Sequence, residues 1–197
     1  MTTTSTVHQL KVTLRGVRPP IWRRVILDSD TPLSEVAALL EAAMGWLGGH
    51  LHSFDIGDVT YQPPDPFGDD GWGRPTVDER TVTLGEVADE PKLKFRWDYD
   101  FGDGWMHDIV VESIGPAQPG VVTPSCVKGK RACPPEDCGG TWGYENLLAA
   151  IADPNHADHA DLVEWVPDDF DPEAFDPTET TAIMRARRPL EGIDDLW

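Results

Sequence analysis

Apolar and polar residues alternate along the first part of the chain and predict a β-hairpin. In residues 7–16, four apolar side chains are interspersed with polar ones: Val7, Leu10, Val12 and Leu14. Residues 21–27 form a second run of this kind, and Arg18-Pro19-Pro20 between the two runs predicts a turn. A period of two is typical of a strand with one buried face, so we expect the two runs to pair as the opening hairpin of a sheet.

The pattern then changes to that of a helix. Thr31 followed by Pro32 has the form of an N-cap with proline at the first helical position. Apolar residues recur on one helical face through about Trp46, and the glycine pair at 48–49 predicts the end of the helix. We therefore expect one helix to pack on the sheet.

Shorter strands and loops follow this helix. Alternation predicts three further strands, at residues 50–56, 93–99 and 108–114. Residues 61–78, which are rich in proline, glycine and aspartate, and residues 115–140 are predicted to be loops. The run at 81–87 is too short to assign by its pattern.

The last third of the chain is predicted to be helical. Between residues 144 and 151, apolar side chains recur at helical spacing, and the Asp-Pro pair at 153–154 ends that helix. Asp158 stands where the cap of a second short helix is expected. Strands followed by helices favour an α+β fold.

The same pattern indicates the domain organisation. We find no internal repeat and no sharp linker, so residues 1–180 are expected to form one domain and residues 181–197 a C-terminal tail. The tail ends in Ile193-Asp-Asp-Leu-Trp197, which resembles a short acidic–hydrophobic docking peptide. This segment is therefore expected either to be disordered or to contact a partner.

The chain is strongly acidic. Its 197 residues carry 35 Asp and Glu against 16 Lys and Arg, which gives a net charge of −19. Proteins that neutralise phosphates do so with Lys and Arg, so this charge disfavours general nucleic-acid binding. Direct DNA binding would need the N-terminal arginines on one face: Arg15, Arg18, Arg23 and Arg24. Between Asp153 and Glu179 there are ten acids and no Lys or Arg.

The sequence also favours a compartment. No apolar run approaches the roughly 18 residues that span a bilayer, and the N-terminal residues lack the pattern of a secretory signal. A cytoplasmic protein without membrane contact is therefore expected. In that reducing compartment, the three cysteines are expected to remain thiols or metal ligands.

All three cysteines lie in one loop, as Cys126, Cys133 and Cys138. Thiolates at this spacing can converge on one Zn²⁺, which needs a fourth ligand. His107 is the preferred fourth candidate because it opens the strand that leads into the loop. The alternative is that the cysteines pack as small buried apolar side chains while the proline pair at 134–135 makes the turn rigid. A catalytic thiol is a further interpretation, for which no base partner is evident.

Six further residues form a candidate cleft: His50, His52, Asp100, Asp103, Trp105 and Trp142. A period of two places both histidines on one face of the predicted strand, where they can bind a metal or a phosphate or simply cover the sheet. Asp103 lies between two glycines in a tight connection, which it can order by bonding to local amides. Alternatively, the two aspartates can offer oxygen ligands to a metal. The tryptophans either cover the edge of the core or form a recognition surface suited to a cationic or peptide ligand.

Six strings occur in order along the chain: LRGVRPPIWRR (14–24), AMGW (43–46), HLHSF (50–54), YDFGDGWMH (99–107), ACPPEDCGG (132–140) and FDPEAFD (170–176). Together they resemble the plasmid pRiA4b ORF-3-like protein family, over about residues 7–176. The resemblance implies an α+β fold with a curved, mainly antiparallel sheet and packed helices. The family is associated with mobile elements, and the resemblance implies no particular activity.

Two functions are compatible with these observations. The first is a binding or accessory protein, with a structural zinc in the cysteine loop, that recognises a protein or peptide through Trp105 and Trp142. The second is a metal-dependent enzyme, a hydrolase or nuclease of a mobile element. It requires Asp103, His107 and one of the two histidines at 50 and 52 to converge on a metal. The sequence itself assigns no catalytic residue.

Overall fold

The structure is a computed structural model of the chain, and it describes residues 5–64 and 74–187. These residues form one eight-stranded sheet with the strand order β5-β4-β3-β6-β7-β1-β2-β8. The strands are β1 (Thr6–Leu14), β2 (Trp22–Asp28), β3 (His52–Ile56), β4 (Val59–Gln62), β5 (Thr76–Asp78), β6 (Lys94–Tyr99), β7 (Trp105–Pro116) and β8 (Ser125–Lys130). All neighbours pair antiparallel except β4 and β5. The predicted α+β fold is therefore confirmed.

Five helices accompany the sheet in the described part of the chain. They are α1 (Leu33–Met44), α2 (Leu84–Val87), α3 (Gly140–Ala152), α4 (His159–Trp165) and α5 (Pro177–Ala186), and a 3₁₀ turn precedes α2 at Glu79–Thr81. None of these helices combines the length and the apolar character that crossing a membrane requires.

The opening hairpin is confirmed, and it carries the centre of the core. Strand β1 lies between β2 and β7, with Leu10 opposite Val25 on one side and Val111 on the other. Every second side chain is buried in β1 from His8 onward, in β2, and in β7 as far as Val111, as a period of two requires. The same alternation turns three polar residues into the core: His8 of β1, Arg23 of β2 and His107 of β7.

Helix α1 packs its apolar face against the sheet, but its ends differ from those predicted. Pro32, not Thr31, occupies the N-cap position, and no side chain caps the first turn. The helix ends at Met44 because Gly45 adopts a left-handed conformation with φ 89°. Trp46 therefore lies beyond the helix, where its indole N–H donates to the carbonyl of Pro134 at 2.9 Å.

Several elements lie where loops or no structure were predicted. Strand β8 falls within the loop predicted at 115–140, and β4 and β5 lie at the edges of the one predicted at 61–78. Helix α5 runs across the predicted domain boundary at 180, and its Met184 is fully buried. The chain up to Arg187 thus belongs to the fold. Residues 188–197, which include most of the predicted tail, lie outside the described residues.

Candidate functional site

Three segments meet at one end of the sheet, which we call the three-loop end: residues 45–51 after α1, 100–104 between β6 and β7, and 132–139 before α3. The amide of Asp100 donates to the carbonyl of Leu51 at 2.9 Å, and the amide of Leu47 donates to the Glu136 carboxylate at 3.1 Å. The Asp103 carboxylate accepts from the amide of Gly139 at 3.2 Å. Each segment is therefore held by at least one of the other two.

Asp100 orders the turn between β6 and β7. Its φ is 53°, in the left-handed region that aspartate tolerates better than most residues. The Oδ1 atom accepts from the amides of Gly102 at 3.0 Å and Asp103 at 3.3 Å. The acceptor of this turn is therefore Asp100 and not Asp103, the residue that the sequence predicted, because the Asp103 carboxylate accepts from the distant Gly139 amide. The Oδ2 atom of Asp100 is directed toward His50, whose Nδ1 lies 3.5 Å away.

Replacing Asp100 with alanine is expected to lower the free energy of unfolding by about 1–3 kcal/mol, because two amides lose their acceptor. Asp100→Asn keeps an acceptor oxygen and is expected to cost less than about 1 kcal/mol. Asp108→Ala is the control: this aspartate is exposed and lies 3.6 Å from Arg15 in a solvated ion pair. Urea unfolding measures the three values, and equal losses for the alanine and asparagine variants at position 100 would contradict the acceptor role.

His50 lies between two carboxylates of the three-loop end. Its Nδ1 is 3.5 Å from Asp100 Oδ2 and its Nε2 is 3.8 Å from Asp137 Oδ1. Tyr99 contacts the imidazole edge-on, with ring centroids 5.7 Å apart. Within residues 5–64 and 74–187, these three are the one set of three or more His, Cys, Asp or Glu side chains whose ligand atoms all lie within 4.8 Å of one another.

His52 belongs to a different cluster, so the prediction that both histidines share one strand face is wrong. The strand begins only at His52, and His50 precedes it in the loop. The Nε2 atom of His52 lies 2.9 Å from Glu79, and its Nδ1 lies 3.8 Å from Glu41. Burial raises the pKa of Glu41, against the opposing effect of Arg187 and His52. This cluster joins α1, β3 and the 3₁₀ turn, and it is nearly closed to solvent.

The three cysteines and His107 form no ligand set among the described residues. Cys133 is buried, with its sulfur 3.4 Å from Met44 Sδ and 3.3 Å from a guanidinium nitrogen of Arg23. Cys126 is buried on β8 and Cys138 is half-buried. Burial raises the pKa of all three thiols, that of Cys138 to about 12 with a contribution from Asp103. Zinc at the cysteine loop therefore stays a prediction, and the protonated thiols offer no activated nucleophile.

His107 lies in an aromatic part of the core. It is fully buried, and because a carbonyl only accepts hydrogen bonds, its Nδ1 must donate the 3.2 Å bond to the carbonyl of Trp97. Its ring lies 5.5 Å from that of Trp46. Burial lowers the pKa of His107 to about 3. Among the described residues, Asp103 and His107 form no ligand group with either His50 or His52, which is the convergence that the enzyme hypothesis requires.

The two tryptophans of the candidate cleft do not share a face. Trp105 is 1% exposed and stacks on Trp46 at 5.9 Å, whereas Trp142 in the first turn of α3 is 85% exposed. Trp105 therefore covers the core edge, which is the first of the two roles considered for the loop tryptophans. Three of the six candidate residues lie on the segments of the three-loop end: His50, Asp100 and Asp103. Trp142 follows the third segment, in the first turn of α3.

A cleft of about 580 Å³ opens beside the three-loop end, and we call it the α1–α5 cleft. It lies between the end of α1, residues 132–136 and residues 167–183. Its apolar walls include aromatic and aliphatic side chains: Trp46, Phe170, Phe175 and Ile183. Three carboxylates also line it: Glu136, Asp176 and Glu179.

Sequence analysis did not identify this cleft because its far wall is formed by α5 and the segment before it. The available signal was the string FDPEAFD at 170–176, whose two phenylalanines both line the cleft. Glu136 links the cleft to the three-loop end: its carboxylate accepts from Tyr99 Oη at 2.8 Å and from the Leu47 amide. Burial and this carboxylate raise the pKa of Tyr99, so the phenol stays a donor.

The fold and these sites define an α+β protein built on one mainly antiparallel sheet, with a loop-built cluster at one end and a cleft beside it. The chain belongs to the plasmid pRiA4b ORF-3-like protein family, whose family model matches residues 6–179. The resemblance found in the sequence is thereby confirmed. All residues of the two sites except Thr180 and Ile183 lie within the matched region.

Two relatives support this assignment. The chain is 42% identical over 162 residues to the uncharacterized protein y4hQ of Sinorhizobium fredii, covering 82% of this chain and 81% of that protein. It is also similar to the crystal structure of a protein of unknown function, MM3350, from Methanosarcina mazei Go1. That match has a TM-score of 0.79 at 34% identity and covers 90% of this chain and 98% of the other.

Proposed function

We propose that this protein is a binding protein that recognises a basic polypeptide segment with apolar side chains in the α1–α5 cleft. The observation that carries the proposal is the combination of apolar walls with three lining carboxylates in a cleft of about 580 Å³. Aromatic and aliphatic walls accept apolar side chains. Carboxylates beside aromatic rings favour a cationic group on the same ligand.

The charge of the surrounding chain supports a cationic partner. Residues 153–179, whose part from Pro167 onward contributes to the far wall, carry ten acids and no Lys or Arg. Among the described residues that line the cleft, Arg23 is the basic one, and it is 3% exposed under the ring of Phe175. Arg187 lies at the end of the cleft near α1, where its guanidinium binds the carbonyls of Trp46 and Leu47. A basic ligand therefore meets a negative field as it approaches, which raises the rate of association and makes it depend on salt.

Selection from a random peptide display library tests this proposal, and enriched sequences are expected to combine Lys or Arg with apolar residues. A synthetic peptide from that pool is then titrated by fluorescence anisotropy. Ile183→Arg is expected to weaken binding at least tenfold, because it places a charge on the apolar wall and repels a basic ligand. Glu179→Lys is expected to weaken it about five- to tenfold, with a reduced salt dependence.

Matched controls lie on the neighbouring helix α4. Val163 and Ile183 are comparably exposed, at 43% and 46%, but Val163 does not line the cleft. Val163→Arg and Glu164→Lys introduce the same charges without touching the cleft and are expected to change the affinity less than twofold. A selected pool that is neutral or acidic contradicts the proposal, as does equal weakening by the Ile183 and Val163 variants.

A further inference from the structure

We propose that His50, Asp100 and Asp137 bind a first-row divalent cation, such as Zn²⁺ or Mn²⁺, at the three-loop end. The site is separate from the α1–α5 cleft and does not depend on the function proposed for it. One nitrogen and two carboxylate ligands suit these metals better than Mg²⁺ or Ca²⁺, which prefer all-oxygen sites. With three protein ligands, the remaining coordination positions are taken by water or a further ligand.

The distances fit such a site with little rearrangement. Metal–ligand bonds of about 2.0–2.2 Å place neighbouring ligand atoms about 3.0–3.5 Å apart. The Nδ1 atom of His50 and Oδ2 of Asp100 are already 3.5 Å apart, so Nδ1 is the ligand nitrogen. Oδ1 of Asp137 lies 3.8 Å from the other ring nitrogen, Nε2, but one ligand atom of each of the three residues lies within 4.8 Å of the other two. A rotation of the Asp137 side chain, which is 76% accessible, is needed to bring its carboxylate to the ion.

The surrounding residues orient the ligands. Asp100 uses Oδ1 for the amides of Gly102 and Asp103, so Oδ2 remains for the cation. Such bonds to the second atom of a ligand group fix its direction and raise metal affinity. Tyr99 holds the imidazole edge-on. His50 is one-third accessible, so an ion can reach the site from solvent.

The electrostatic environment also favours a cation. The three segments carry four acidic residues: Asp100 and Asp103 between β6 and β7, and Glu136 and Asp137 before α3. None of the segments 45–51, 100–104 and 132–139 contains Lys or Arg, and Arg187 contributes a cation from α5 at the carbonyls of Trp46 and Leu47. Two of the carboxylates flank the imidazole, and the excess of negative charge attracts a divalent ion.

Metal titration of the full-length protein tests the site. The protein is freed of metal with a chelator and titrated with Zn²⁺ and Mn²⁺ by calorimetry, and with Co²⁺ by its visible absorption. One equivalent per chain is expected, with release of protons at low pH because His50 binds only when neutral. His50→Gln and Asp137→Asn are each expected to weaken binding at least tenfold.

The controls are His156→Gln and Asp108→Asn, which change the same residue types outside the group and are expected to leave the affinity unchanged. Circular dichroism confirms that each variant is folded; Asp137→Asn is an exposed, isosteric change and serves if His50→Gln is unstable. Absence of binding overturns the proposal. So does binding that survives both site variants, or that is lost in Cys133→Ser instead, which would assign the ion to the cysteine loop.

Discussion

Replacing Arg23 with alanine is expected to lower the free energy of unfolding by about 3–5 kcal/mol, one of the largest effects of a single substitution in this fold. Its Nε donates to the carbonyl of Ala43 at 2.9 Å, at the end of α1. Its Nη1 donates to the backbone carbonyls of Trp22 at 3.0 Å and Lys130 at 3.1 Å. Each buried carbonyl without a donor costs about 1–3 kcal/mol, and water can replace part of the loss at the two partly buried ones.

The buried charge itself limits the loss. No carboxylate in the described chain lies within 4.0 Å of the Arg23 guanidinium, which instead stacks 4.4 Å from the centre of the Phe175 ring. Removing an unpaired buried charge recovers its desolvation cost. Arg23→Met keeps the packing on Phe175 and removes the charge, so we expect it to lose about half as much stability as Arg23→Ala.

The next residue provides the control. Arg24 lies on the opposite face of β2, where its guanidinium binds the Glu112 carboxylate with a partly solvated geometry. Arg24→Ala is expected to cost about 1 kcal/mol or less. Urea unfolding at pH 7 compares the three variants. If Arg23→Ala costs no more than Arg24→Ala, then Arg23 does not join β2, α1 and the cysteine loop as described.

Arg23 illustrates how far the sequence leads. Arg23 and Arg24 were considered together as parts of one basic face, but they lie on opposite faces of β2, and Arg23 is buried. An arginine there contradicts the pattern of an apolar core, and only the structure supplies the reason: three carbonyls from β2, β8 and the end of α1 converge on the guanidinium. Period-two patterns report which side chains are buried, but not which distant groups satisfy them.

The elements that were missed share a physical cause. Strand β8 reads SCVKGK, and only its first two residues are buried, so it lacks the alternation of a half-buried strand. Its pairing with β2 is a long-range contact. Helix α5 buries one side chain, Met184, and is held by the Asp176 cap and by Arg187, whose guanidinium donates to the carbonyls of Trp46 and Leu47. Tertiary contacts decide such elements.

The candidate sites divide in the same way. A hydrogen-bonded aspartate turn between β6 and β7 follows local rules and was predicted, although its acceptor is Asp100 and not Asp103. The meeting of His50 with Asp137 depends on how two distant loops are placed, and the separation of His50 from His52 depends on where β3 begins. No pattern in the sequence reports either fact. The α1–α5 cleft could not be predicted, because α5 forms one of its walls and the sequence pattern did not identify α5 as a helix.

Acidification from pH 7 to pH 5 is expected to lower the free energy of unfolding by roughly 2 kcal/mol through His107 alone. Its pKa in the folded protein is about 3, against about 6.5 for an unfolded histidine. Below pH 6.5 His107 therefore takes up a proton in the unfolded chain but not in the folded chain. The contribution of His107 to the free energy of unfolding is largest above pH 6.5 and falls by about 1.4 kcal/mol per pH unit until the pH approaches 3.

Other groups modify this slope without removing it. His8 is also buried, with its pKa lowered by burial, and adds loss in the same direction. Glu41, whose pKa burial raises, holds its proton more tightly when folded and opposes the loss. Hydrogen bonds lower the pKa of Asp55, against the effect of burial, through Thr60 and Arg96, and that of Glu112 through Arg24, so these carboxylates lose their contributions only near and below pH 4. The window from pH 7 to pH 5 therefore lies above their range, and the His107 variant separates the effect of His107 from those of His8 and Glu41.

The decisive comparison is between the wild type and its variants in how steeply the free energy of unfolding changes with pH. His107→Phe keeps a ring beside Trp97 and cannot take up a proton, so its unfolding free energy is expected to change with pH by about 2 kcal/mol less than that of the wild type over the same window. His156→Gln, a change at the surface, is expected to leave the slope unaltered. Guanidinium unfolding at pH 7, 6 and 5 gives all three slopes. A wild-type slope retained in His107→Phe would mean that His107 is protonated in the folded core, against its burial between the rings of Trp46 and Trp97.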